Sequence, residues 1–177
     1  MQRRTLIKQL AFASGALLLI PSCMSDTSKA SIVLKKIKID GDQEKLMAEL
    51  AETIIPKTDT PGAKDISAHL FILKMVDDCF NTADQQKFLA GLTAFQATTK
   101  KQFDKSFIKC DAAEKKTILT TLEAKQTGDD QLAYFYATAK RLTIQSYTNS
   151  KFYLTNIQVY KLVPGKYQGC VPVKTIS

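Results

Sequence analysis

Apolar residues recur at helical spacing along most of this chain, and clusters of polar turn residues punctuate them. From Gly41, with Asp42 as the expected N-cap, Leu46, Met47, Leu50, Ala51 and Ile54 share one helical face, and Pro56 ends the run. "PKTDTPGAKD" at 56–65 is rich in turn formers and reads as a loop. A second helix is expected over about 66–80, burying Ile66, Leu70, Leu73, Val76 or Met75, and Phe80. "TADQ" at 82–85 has the form of a capping box and starts a third helix that turns Phe88, Leu89, Leu92, Phe95 and Phe103 inward. "DAAE" at 111–114 repeats the device before Ile118, Leu119 and Leu122. A turn at 127–130, "TGDD", leads to a fifth helix to about Tyr147, with Leu132, Phe135, Tyr136, Ala139 and Leu142 buried.

The expected fold is all-α. One helical, bundle-like domain of about five helices with short connections covers residues 41–177, with no internal repeat and no second domain. The segment 151–173 breaks the pattern, because aromatic and β-branched residues give way there to Pro164-Gly165 and a second glycine. It reads as an extended tail that must lie on the helices or on a partner.

Residues 1–23 have a different pattern. Arg3, Arg4 and Lys8 precede the apolar stretch "LAFASGALLLI", which is shorter than the roughly 20 residues of a membrane span. Arg3 and Arg4, followed by Leu6, Ile7 and Lys8, give the order of a twin-arginine export signal. A general secretory leader carrying two arginines is the other reading. "LIPSC" at 19–23 resembles a lipobox that would make Cys23 the lipidated first residue. Ser22 and Ile20 suit it and Pro21 does not, so lipidation and simple cleavage both stand. Acylation would anchor the protein to a membrane face. Residues 24–40, opening with "MSDTSKAS", read as a tether.

Charge changes this picture little. The net charge is +8, and without the three leader cations 22 basic residues face 17 acidic ones, or +5. The lysines are spread along the chain, as at Lys35, Lys36, Lys38, Lys100, Lys101, Lys115 and Lys116, and read as a solvated surface. Nucleic acid is not an expected partner, because an exported chain rarely meets it.

The chemistry-bearing residues are sparse. His69 is the single histidine and reads as a packed helix residue, where a zinc or copper site would need several converging ligands. There is no G-x-G-x-x-G after a strand, no C-x-x-C-H and no G-x-S-x-G elbow. Asp77-Asp78 reads as helix surface and Asp129-Asp130 as capping. No catalytic residue, cofactor ligand or metal ligand is therefore assigned. Of the four cysteines, Cys79, Cys110 and Cys170 remain if Cys23 is lipidated or removed, and all three pairings, or a bond to another chain, stay open.

"AETIIPKTDTPGAKDISAHLFI" at 51–72, "DDCF" at 77–80, "QQKFLAGL" at 85–92 and "YKLVPGKYQGCVPV" at 160–173, behind the twin-arginine leader, resemble the gluconate 2-dehydrogenase subunit 3 family. The chain departs from that pattern at Ser146, Asn149 and Lys151. The resemblance implies a small, non-catalytic subunit of a periplasmic sugar or sugar-acid dehydrogenase. It implies that FAD sits in a large flavoprotein subunit of the glucose–methanol–choline class, with a cytochrome c subunit as a further partner. It also implies that the small subunit's leader serves a large subunit lacking one. From the same resemblance come an expected Cys79–Cys170 disulfide pinning the tail, and partner contacts at Thr58, Asp59, Thr60, Pro61, Gly62 and, in the tail, Tyr167. The rival readings are a free-standing periplasmic lipoprotein with a binding or scaffold role, and an enzyme in its own right.

Overall fold

The structure, a computed structural model, describes residues 29–124 and 130–158 and the single positions 161, 165 and 170. Among them the fold is helical, with no sheet and one isolated bridge between Lys29 and Asp40. The helices are α1 (Gly41–Ile54), α2 (Ala68–Cys79), α3 (Thr82–Phe103), α4 (Ala112–Ala124) and α5 (Gln131–Thr148). A 3-10 turn, Phe107–Lys109, precedes α4, and a π-helical turn, Tyr153–Ile157, follows α5.

The helix ends follow from their caps. Asp40, not Asp42, caps α1, because its carboxylate accepts from the Gln43 N–H at 2.7 Å while its own N–H donates back to Gln43 Oε1 at 3.1 Å. The Asp111–Glu114 box forms as expected, with both bonds at 2.8 Å. The Thr82–Gln85 box does not. Asn81 caps α3 by accepting from the Asp84 N–H, and Gln85 is buried instead. Its amide donates to the carbonyls of Val76 and Asp77 at 3.1 and 2.9 Å, satisfying two orphan acceptors at the end of α2. α2 starts later than expected because Ser67 sits in the left-handed region at φ 55°. Its buried stripe is Ile72, Leu73 and Val76, and Leu70 is only half-buried.

The centre of the core is the α3–α5 pair. A Cβ at Gly91 would lie 2.2 Å from the Gln131 carbonyl oxygen and 2.5 Å from Phe135 Cβ, so glycine lets these helices approach. Phe88, Phe135, Phe95 and Phe107 then stack in a chain with ring centroids 5.0 to 5.7 Å apart. Met47 and Leu50 of α1, the α2 stripe, and Ile118 and Leu122 of α4 close around it.

Residues 29–40 are part of this body rather than a loose lead-in. Ile37 is buried, and Ile32, Leu34 and Ile39 pack against the core. Asp77 holds the segment. Its carboxylate accepts the backbone N–H groups of Lys35, Lys36 and Ile37 at 2.9, 2.7 and 2.9 Å. Asp77 is 0% exposed, which corrects its reading as helix surface. Burial would raise its pKa, but the three N–H donors more than compensate and hold the carboxyl below its usual range. Ser31 adds a second tie, donating its N–H and hydroxyl to Glu44 at 2.6 and 2.5 Å.

The expected disulfide is not formed, and Cys79, Cys110 and Cys170 are all free. Cys79 ends α2 exposed, its Sγ 4.0 Å from Met75 Sδ one turn back. The start of the tail also differs from expectation. It coils into the π-turn, with Phe152 and Tyr153 packed edge-on to Tyr147 at centroid distances of 6.5 and 6.2 Å. That stacking holds the start of the tail against the end of α5. Cys110 is buried, its Sγ 3.6 Å from the Ser106 carbonyl oxygen, and burial pushes the thiol pKa up.

Candidate functional site

The loop between α1 and α2, residues 56–65, has little apolar burial to fix it, and backbone N–H groups meeting carboxylates hold it instead. Glu52, in the last turn of α1, accepts from the N–H groups of Lys57 and Lys64 at 2.9 and 2.8 Å. Asp65 accepts from the Gly62 N–H at 3.1 Å, and this bond, with the Lys57 ammonium, holds its carboxyl below the usual range. The Ala63 N–H reaches back to the Ile55 carbonyl, and the Thr58 N–H closes the tip on the Thr60 carbonyl at 3.0 Å. From the far side of the domain's sequence, the Tyr147 hydroxyl donates to the Pro61 carbonyl at 3.0 Å.

The five loop positions singled out in the sequence therefore divide. Thr58 and Asp59 are exposed at the tip, and Thr60 and Pro61 are half-buried. Gly62 is buried, and a Cβ there would lie 2.5 Å from Glu52 Oε1 and 2.7 Å from the Lys57 nitrogen. It lets Glu52 close the loop, so the surface a partner could touch is the tip.

Beside the loop, α1, α4 and α5 enclose an open groove of about 710 Å³. Ile54, Pro56 and Leu119 supply its apolar lining, and two charged knots flank them. Glu49 pairs with Lys64 and, at 3.0 Å, with Lys115. Burial would raise the pKa of Glu49, and the two ammonium groups outweigh it. Glu123 pairs with Lys140 at 2.5 Å and accepts from the Tyr136 hydroxyl at 2.7 Å. Burial, and then donation to Glu123, push the Tyr136 phenol well above its ordinary pKa, so it stays a neutral donor. An apolar strip between charged rims beside a stiff loop tip is suited to binding another protein surface.

His69 lies on α2, half-buried, with Nδ1 unpartnered. Burial lowers its pKa against the opposing pull of Glu44. Among the described residues no group of three or more His, Cys, Asp or Glu could hold a metal ion, and no helix is long and apolar enough to cross a membrane. Arg3, Arg4, Cys23 and Tyr167 lie outside the described residues. Cys79 and Cys170 are not brought together.

Sequence reasoning missed four residues that build this half of the molecule: Asp77, Gln85, Glu52 and Tyr147. The run "IVLKKIKI" at 32–39 was the available signal for Asp77, since its apolar residues need a surface to lie on.

A family model described as gluconate 2-dehydrogenase subunit 3 matches residues 41–165, more than two thirds of the chain. The match runs from the first residue of α1 through the loop, the groove and the π-turn. No curated protein and no solved structure matches the chain.

Proposed function

The chain belongs to the gluconate 2-dehydrogenase subunit 3 family, and from that premise we propose that it is the non-catalytic small subunit of a periplasmic dehydrogenase. Its large partner would be a flavoprotein of the glucose–methanol–choline class that holds FAD and oxidises the sugar or sugar acid. A cytochrome c subunit would carry the electrons onward. The small subunit would escort the flavoprotein through twin-arginine export and stabilise it afterwards. The observation that carries this reading is the coexistence of an Arg3-Arg4 export motif with the family match over 41–165.

The loop tip at Thr58 and Asp59, with the adjoining groove, is the surface assigned to the flavoprotein. Its stiffness lowers the ordering cost of docking. Co-purification tests the assignment: tagged small subunit should retain a flavin-containing large subunit. An Asp59→Arg, Lys116→Glu double change should weaken retention at least tenfold without altering the fold. Retention unchanged by that variant would remove the surface from the proposal, and recovery of the small subunit without any flavoprotein would remove the function.

A further inference from the structure

The segment 29–40 has two faces with different chemistry. Its ends meet at the Lys29–Asp40 bridge, so it is a compact loop closed on itself. Ile32, Leu34, Ile37 and Ile39 face the core, and Asp77 fixes the middle of the loop through three backbone bonds. Lys29, Lys35, Lys36 and Lys38 are exposed, and so is Val33, at 86% the most exposed large apolar residue described. Lys36 Nζ lies 3.4 Å from the Asp78 carbonyl oxygen, and the Asp78 carboxylate is paired with Lys74 at 3.1 Å. Of the other acidic groups at this end of the chain, Asp42 pairs with Lys45, while Asp40 and Glu44 accept hydrogen bonds from the Gln43 N–H and from Ser31 and keep their charge.

We propose that this loop is a docking surface for an anionic phospholipid membrane, with the lysines binding headgroup phosphates and Val33 entering the interface. Four exposed lysines and an exposed apolar side chain on one loop, with its backbone already fixed to the fold, make the combination that partitions to such surfaces. Position favours a membrane over an acidic protein. Cys23, where the lipobox reading places an acyl anchor, precedes Lys29 by six residues, which span at most about 22 Å. An acylated protein would thus carry this basic loop at the membrane face, and loop and anchor would act as two joined signals. The surface does not depend on a flavoprotein partner, so its failure and that of the export reading are separable.

Flotation with vesicles of 30 mol% phosphatidylglycerol in phosphatidylcholine tests it, using the full chain carrying Cys23→Ser so that no acyl chain contributes. Lys29→Gln, Lys35→Gln, Lys36→Gln and Lys38→Gln together should weaken binding at least tenfold, since each lysine near such a surface is worth about fivefold. A charge-matched control, Lys100→Gln, Lys101→Gln, Lys109→Gln and Arg141→Gln, all at exposed positions, should stay within about twofold, and the leader common to all variants cancels. Val33→Glu, at a site exposed enough to leave folding untouched, should also weaken binding. Equal losses in the loop and control variants would overturn the proposal. So would the same loss by the loop variant on pure phosphatidylcholine vesicles, or a loop variant that still floats but no longer retains the flavoprotein.

Discussion

Two loops of this protein are held by the same device and differ in where the device sits. In the loop 29–40 a single carboxylate, Asp77, takes three consecutive backbone N–H groups in a site closed to solvent. In the loop 56–65 two carboxylates, Glu52 and Asp65, take three N–H groups between them at the surface. A buried acceptor cannot be replaced by water when lost, whereas a surface acceptor can. The first loop is therefore structural on its inner side and fixed as a unit. The second is held stiffly enough to present a tip, and losing any one of its ties costs less.

The largest effect should follow Asp77→Ala. Three N–H groups and the apolar seat of Ile37 lose their anchor, at about 2–4 kcal/mol in a urea melt. A loss no greater than that of a surface substitution would remove the distinction between the loops.

Acid titration sharpens the same contrast. The folded pKa of Asp77 lies below its unfolded value near 3.8. Its contribution is therefore present above that value and is lost as pH falls through the folded pKa. Wild-type stability should drop below about pH 4, and Asp77→Asn should flatten that limb while lowering the plateau at neutral pH.

In the second loop Gly62→Ala should cost about 1–3 kcal/mol, because the new methyl group meets both the Glu52 carboxylate and the Lys57 backbone. Retained flavoprotein binding in a Gly62→Ala protein with a displaced tip would dissociate stiffness from docking. The smallest effect belongs to Tyr147→Phe, which deletes one bond to the Pro61 carbonyl and should cost about 0.5–1 kcal/mol. Faster amide exchange confined to residues 58–63 would be its signature.

The sequence disclosed the helices and little of what ties them together. Periodicity located all five, since apolar faces built from Leu46, Met47 and Leu50, or Phe135, Ala139 and Leu142, have one way to be buried. Asp111 and Glu114 were legible as a cap because both partners lie within one turn. Gln85 was misread for the same reason. Its spacing from Thr82 fits a local box, but the end of α2 offered two carbonyls that needed a donor. Asp77 next to Asp78 looked solvated, because nothing local shows that a segment some 40 residues earlier folds back over it. The Cys79–Cys170 pairing failed because a family pattern of cysteines carries no geometry, and both thiols stand free and exposed. At the candidate site the loop itself was legible from "TDTPGA", whereas its brace from Tyr147, 86 residues away from Pro61, was not.

The proposed escort role rests on two arginines outside the described residues, and one measurement addresses it directly. The large subunit is followed by fractionation in cells expressing both subunits, with wild-type small subunit or with Arg3→Lys, Arg4→Lys. The expected result is FAD-loaded large subunit in the periplasmic fraction with the wild type, and retained in the cytoplasm with the double-lysine variant. Unchanged export of the flavoprotein with that variant would contradict the account.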